Sequence, residues 1–237
     1  MSILLLALNL LDVKGDSGYN IAMKLNAKQL RKGKVLAKGW SASGRKKNEI
    51  YIVLDNVLDT YNIGSIFRLA DAVSAKKIYL CGGSETPPNH RIKKASINTT
   101  EFVDWSYCAT AVGAIGEVRE KVRGIQVVAV ELASGSVPYD EFKYKLPICL
   151  VVGHESDGVS KEVLDICNGI VELPMFGVNT SLNVMVSLGI VLYKVMSNNT
   201  NTTNIQFPMN HIWNLTLDIW HFLYYDRNYS TYYCQYW

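Results

Sequence analysis

Three short groups of side chains in this sequence are of types that do chemistry together. The first is Asn62, Gly64 and Arg68, in Tyr61-Asn62-Ile63-Gly64-Ser65-Ile66-Phe67-Arg68. A guanidinium is planar, charged and forked, so near a carboxylate loop it binds phosphate or positions a hydroxyl. Alone on a helix, it is equally an ordinary surface arginine. The second group centres on Glu155, in Gly153-His154-Glu155-Ser156-Asp157-Gly158, where two glycines let backbone approach closely. An acid there either caps a helix near Ser160 or holds a cationic ligand. The third is Ser181 and Asn183 in Ser181-Leu182-Asn183-Val184, shortly after Leu173-Pro174-Met175-Phe176-Gly177. Both residue types are also common helix N-caps, as is Asn62. His154 has no partner legible in the sequence and reads as a loop histidine without catalytic work.

These groups need elements to position them. Leu146 to Val152 is apolar on both faces, started by Pro147 and stopped by Gly153, which is the pattern of a buried parallel strand. Ligands of open α/β sheets sit beyond the carboxyl ends of such strands, which puts the Glu155 loop where ligands bind. Ile50 to Asp55 is expected to be a strand, followed by a helix over Asn62 to Val73. Its start, with Asn62, Gly64 and Arg68, also lies at the carboxyl end of the sheet. Further strands are expected over Lys77 to Cys81, Ile125 to Val130 and Gly169 to Leu173. Helices are expected over Thr110 to Val122, Ser160 to Cys167 and Ser181 to Met196. His90 to Ala95 is a second basic cluster. Strands separated by helices indicate a parallel sheet covered on both faces.

Composition narrows the classes. The five cysteines, Cys81, Cys108, Cys149, Cys167 and Cys234, are scattered, odd in number and never spaced C-x-x-C. Neither a disulfide framework nor a zinc site is expected, and a reducing cytoplasm fits. The apolar run Ile3 to Leu11 is too short to span a bilayer and lacks a basic flank, so no targeting segment or membrane partner is expected. There is no G-x-G-x-x-G after the first strand and no G-x-x-x-x-G-K-[ST], which argues against a dinucleotide fold and a P-loop. Charge is uneven: the first 48 residues carry ten basic and two acidic side chains, although the whole chain is only +3. A basic arm of that kind suits a polyanion, and Lys28, Arg31, Lys32, Lys34, Arg45, Lys46 and Lys47, with Arg91 further on, are its candidate contacts. Residues 197–237 are rich in Asn, Thr and aromatics, an accessory tail by composition. The expected division is a basic arm and linker over 1–48, a catalytic domain over 49–196 and that tail.

Taken together, Asn62-x-Gly64-x-x-x-Arg68, Gly153-x-Glu155-x-x-Gly158 and Leu173-Pro174-Met175-x-Gly177-x-x-x-Ser181-Leu182-Asn183-Val184 resemble the three motifs of the SpoU (TrmH-like) branch of SPOUT RNA methyltransferases. Order and spacing match over about Glu49 to Met196. His154 stands where the family more often has Asn. The resemblance implies an α/β fold with a mainly parallel sheet, helices on both faces and a deep C-terminal trefoil knot, working as a homodimer. It implies S-adenosylmethionine (AdoMet) as cofactor, near Gly153, Leu173, Met175 and Leu182, with no metal. It implies methyl transfer to a ribose 2′-hydroxyl of tRNA or rRNA, with Arg68, Asn62, Glu155, Ser181 and Asn183 as catalytic and supporting residues. The alternative is a non-catalytic RNA-binding protein of the same fold. For Arg68, a guanidinium holds its proton too firmly to be a good base, so a charged fork beside a forming alkoxide is favoured over proton abstraction.

Overall fold

The computed structural model describes residues 47–199. The arm candidates Lys28, Arg31, Lys32, Lys34, Arg45 and Lys46, and the tail beyond Asn199, lie outside them.

Seven parallel strands form one sheet: β1 (Asn48–Asp55), β2 (Ala75–Cys81), β3 (Trp105–Cys108), β4 (Gln126–Val130), β5 (Val137–Pro138), β6 (Ile148–Gly153) and β7 (Gly169–Glu172). Their spatial order is β3-β2-β1-β6-β4-β7-β5. The described residues hold five α-helices, four between strands and one after the last: α1 (Thr60–Ala72), α2 (His90–Ser96), α3 (Ala111–Lys121), the single turn α4 (Lys161–Leu164) and, after β7, α5 (Val184–Asn199). Side chains alternate along each strand, which is why the central strands read as continuous apolar runs. Ile50, Ile52 and Leu54 of β1 meet Ile63, Ile66 and Phe67 of α1 and Leu188, Val191 and Leu192 of α5. Tyr51 and Val53 point to the other face, where Ala114, Ile115 and Val118 of α3 and Val163 of α4 cover them. Each fully buried Ile, Leu or Val contributes about 1.5–3 kcal/mol relative to exposure.

The observed elements differ from the expected ones where polarity hid them. The basic cluster at His90 is a capped helix, α2: Asn89 Oδ1 accepts from the N–H groups of Arg91 (2.9 Å) and Ile92 (3.3 Å). Helix α2 packs on α1 rather than on the sheet, and Gly64 is what allows it. A Cβ on Gly64 would lie 2.6 Å from the Ala95 Cβ and 2.7 Å from the Ile92 carbonyl. Strand β3 is a short edge strand carrying Ser106 and the exposed Tyr107. The helix expected from Ser160 to Cys167 closes after one turn.

Candidate functional site

The carboxyl ends of β6, β4 and β7 open into a cavity of about 360 Å³, within the range of about 300–1,000 Å³ usual for small-ligand pockets. Gly153, Leu173, Met175 and Leu182 all line it, as do Glu155, Ser181 and Asn183. The backbone fold of the Gly153–Gly158 loop explains its glycines. His154 N–H donates to the Gly158 carbonyl (3.0 Å) and Gly158 N–H to the His154 carbonyl (2.9 Å), closing the loop on itself. A Cβ on Gly153 would sit 2.1 Å from the Gly158 carbonyl carbon, so only glycine fits. Gly158 itself has φ +72°, a left-handed backbone natural to glycine. His154 Nδ1 accepts from the N–H groups of Ser156 and Asp157, both at 3.1 Å. A ring nitrogen thereby shapes the turn, as the oxygen of an Asn does in an Asx turn.

The three groups meet through one line of hydrogen bonds. Glu155 Oε1 accepts from Asn62 Nδ2 (3.0 Å) and from Asp59 N–H (3.0 Å), and its Oε2 accepts from Leu58 N–H (3.1 Å). Asn62 Oδ1 accepts from Asn183 Nδ2 (3.0 Å), and Asn183 Oδ1 accepts from Met185 N–H (3.0 Å). The cap of α1 is therefore Asp59, whose Oδ1 accepts from Tyr61 N–H at 2.7 Å, and not Asn62. Asn62 is instead buried, at 6% exposure, with both ends of its amide used. Glu155 holds the start of α1 rather than a helix near Ser160, and Asn183 rather than Ser181 takes the N-cap role for α5. Burial opposes ionisation of Glu155, but the bonds from Asn62, Asp59 and Leu58 outweigh it and hold its carboxyl below the ordinary range.

Arg68 lies elsewhere. It is exposed, does not line the cavity and has no hydrogen-bond or ion-pair partner among the described residues. Lys47 is tied to the domain, with its Nζ 2.7 Å from Asp104 Oδ2. Arg91 is exposed on α2. Sequence reasoning missed Glu131 and Glu172, which line the cavity at the ends of β4 and β7. Glu131 accepts from Leu132 N–H (3.0 Å) and Val159 N–H (2.9 Å), and Glu172 accepts from Ser136 Oγ. An acid directly after an apolar strand was the signal available. Every carboxylate or cation in the lining is thus Glu131, Glu155 or Glu172, with His154 the other titratable group. Such a lining suits a cationic ligand and repels a phosphate.

Comparison with known proteins gives the family. The sequence model of the SpoU rRNA Methylase family matches residues 49–193. The chain belongs to this family. Among SpoU relatives, it is 34% identical over 154 residues to a tRNA (guanosine(18)-2′-O)-methyltransferase of Aquifex aeolicus, covering 63% of this chain and 70% of that one. It is 32% identical over 155 residues to a putative TrmH family tRNA/rRNA methyltransferase, YacO, of Bacillus subtilis, covering 65% of this chain and 61% of that one. The crystal structure of the A. aeolicus TrmH/SpoU tRNA modifying enzyme superposes with a TM-score of 0.59 at 29% identity, over 73% of this chain and 81% of that one. An AdoMet-bound rRNA methyltransferase from Sinorhizobium meliloti also gives 0.59 at 29% identity, over 67% and 60%. The parallel α/β SPOUT fold is the one these structures share.

Proposed function

We propose that this SpoU protein is an AdoMet-dependent RNA methyltransferase acting on a ribose 2′-hydroxyl of tRNA or rRNA. The observation that carries the reading is the Glu155–Asn62–Asn183 line, which joins all three motif segments at the rim of an acid-lined cavity. The names of the A. aeolicus and B. subtilis relatives support it, and the AdoMet-bound S. meliloti structure supports the cofactor. The lining fits that cofactor. AdoMet carries a sulfonium and an ammonium against one carboxylate, so its net charge is positive and complementary to Glu131 and Glu172, and Val130, Val152 and Val171 offer apolar cover for an adenine. The cradle closes only around Gly153, where any side chain would collide with Gly158. When bound, AdoMet supplies an electrophilic methyl group.

The chain's own residues then have separable tasks. Gly153, Leu173, Met175 and Leu182 bind the cofactor and exclude water. Glu155 is a poor base, because its carboxyl is held below the ordinary range and both oxygens are occupied. It fixes Asn62, which in turn fixes Asn183 and the start of α5. Ser181, exposed on the rim, is free to bond the ribose. Arg68, outside the cavity in the single chain, is assigned to the ribose by its motif alone: its fixed charge would stabilise the oxyanion formed as the hydroxyl gives its proton to water. The deep knot and the homodimer belong to the same proposal, as does a cytoplasmic location. Exposed Phe176 and Val178 on the loop after Met175, and Val186 and Tyr193 on α5, are apolar surface a second copy would cover. Among the described residues no helix is long and apolar enough to cross a membrane. The test is incubation of the protein with labelled AdoMet and total RNA, then nuclease mapping of the modified position. Label in a 2′-O-methyl nucleotide is the expected result; cofactor binding without transfer to any RNA would leave the non-catalytic RNA-binding reading.

A further inference from the structure

Outside the cavity, the folded domain carries a group of cations for which its own fold gives no use. Lys47, Lys76, Lys77, Lys121 and Lys161 each sit within ion-pair distance of a carboxylate. Arg68, Arg91, Lys93 and Lys94 have none within that distance among the described residues, as is also true of Arg123, Lys143 and Lys145, and each is exposed. Their placement is linked. Tyr61, Gly64 and Arg68 recur at helical spacing and share one stripe of α1. Helix α2 lies across that stripe at Gly64, within touching distance through Ala95 and the Ile92 carbonyl. Because α2 buries Ile92 and Ser96, it turns His90, Arg91, Lys93 and Lys94 outward. Glu101, exposed on the turn that follows, forms no ion pair with them.

Helix stability accounts for only part of this charge. Lys93 and Lys94 fall in the last turn of α2, where cations suit the helix dipole. Arg91 falls in the first turn, where a cation works against it. The surface is also held rigid, by the Asn89 cap and by the close approach at Gly64. At its edge Tyr61 is half exposed, one residue before Asn62 of the catalytic line. Cations beside an open aromatic ring suit single-stranded nucleic acid, where phosphates meet charge and bases stack.

We propose that α2 and the outer stripe of α1 form a second RNA-binding surface, built into the folded domain and separate from the basic arm. Arg91, Lys93 and Lys94 hold backbone phosphates flanking the target nucleotide, and Tyr61 stacks an unpaired base beside it. The inference rests on RNA being the substrate. It assigns the backbone to the basic ridge and the cationic cofactor to the acidic cavity, so that neither ligand competes for the other's site.

The experiment uses the full chain with Arg91→Ala, Lys93→Ala and Lys94→Ala combined. A Lys93→Arg/Lys94→Arg variant serves as the charge-preserving control. Binding of bulk tRNA is measured across salt concentrations, with AdoMet binding and thermal melting as controls for folding. Each lost phosphate contact should reduce the slope of log K against log salt by about 0.7–0.9, so about 2.1–2.7 in all for the triple variant. The arginine control should keep the wild-type slope, and Tyr61→Ala should weaken binding without changing the slope. An unchanged slope in a folded triple variant would overturn the proposal. So would polyglutamate competing as well as RNA for wild type but not for the triple variant, which would indicate an acidic protein partner. A salt slope that depends on these residues in a protein that transfers no methyl group would support the surface while removing the proposed reaction.

Discussion

Glu155→Gln removes one charge and almost no volume, so it isolates what the carboxylate does for the site. The carboxylate accepts three bonds, from Asp59 N–H and Asn62 Nδ2 at 3.0 Å and from Leu58 N–H at 3.1 Å. Glutamine has one acceptor oxygen. Turned toward Asp59 and Asn62 it keeps two bonds at neutral strength, and its NH₂ then opposes the Leu58 N–H. Bonds to a charged acceptor contribute roughly 1.5–3 kcal/mol each, against 0.5–1.5 for neutral pairs. Solvent reaches this carboxylate, which lowers the difference, so we expect a loss of about 1–2 kcal/mol. For a domain of this size that is a fall in Tm of roughly 3–6 °C. The pH dependence gives the sign. A carboxyl held below its ordinary value of about 4.3 contributes fully above that pH. Its contribution is lost as pH falls through the lowered folded value. The gap between wild type and variant, read by calorimetry from pH 7 to pH 3, should therefore close at the acid end. Methyl transfer should fall together with stability, because the bond that fixes Asn62 drops from charged to neutral strength. A variant that melts with wild type at pH 7, or a gap unchanged down to pH 3, would refute the reasoning.

Gly153→Ala should leave little cofactor binding, because its Cβ would sit 2.1 Å from the Gly158 carbonyl carbon; equilibrium dialysis with AdoMet reads this directly. Arg68→Ala should lose nearly all methyl transfer and Arg68→Lys should retain a trace, both with wild-type AdoMet affinity. Single-turnover rates against pH would expose a base if the lysine variant were rescued only as its amine deprotonates. Asn183→Ala removes both the cap on Met185 N–H and the partner of Asn62, so it should lower stability by about 0.5–2 kcal/mol and reduce kcat, measured by melting and by transfer assays. Removing residues 1–46, which spares the Lys47–Asp104 pair, should raise the KM for RNA and flatten its salt slope, leaving AdoMet affinity unchanged.

Central strands β1, β4 and β6 were legible because both faces of the sheet are covered, leaving apolar runs bounded by Gly and Pro. Helix α2 was not, because its outward face is wholly polar and its inward face needs only Ile92, Ala95 and Ser96. Strands β3 and β5 are edges, where little burial constrains the residues. The cap of α1 was misread for a different reason. Asn62 is a good cap by type, but a partner far along the chain, Glu155, claims its amide and leaves the capping to Asp59. That Glu131 and Glu172 would face the same cavity depends on β7 lying beside β4, a pairing that periodicity does not encode. The meeting of the three motifs was expected from the resemblance; the bonds that join them needed coordinates.

Strand β1 has its two neighbours at very different distances along the chain. Its partner β2 follows within one helix, whereas β6 begins only at Ile148. On a ribosome adding about 5–20 residues per second, roughly 5–20 s separate the emergence of β1 from that of β6. Throughout that interval one edge of a strand with five buried apolar residues in a row has unpaired amides and carbonyls, the usual template for adhesion between chains. The protein is therefore most vulnerable as a nascent chain, and slow translation between codons 56 and 147 should lower its soluble yield more than the same delay placed after residue 153.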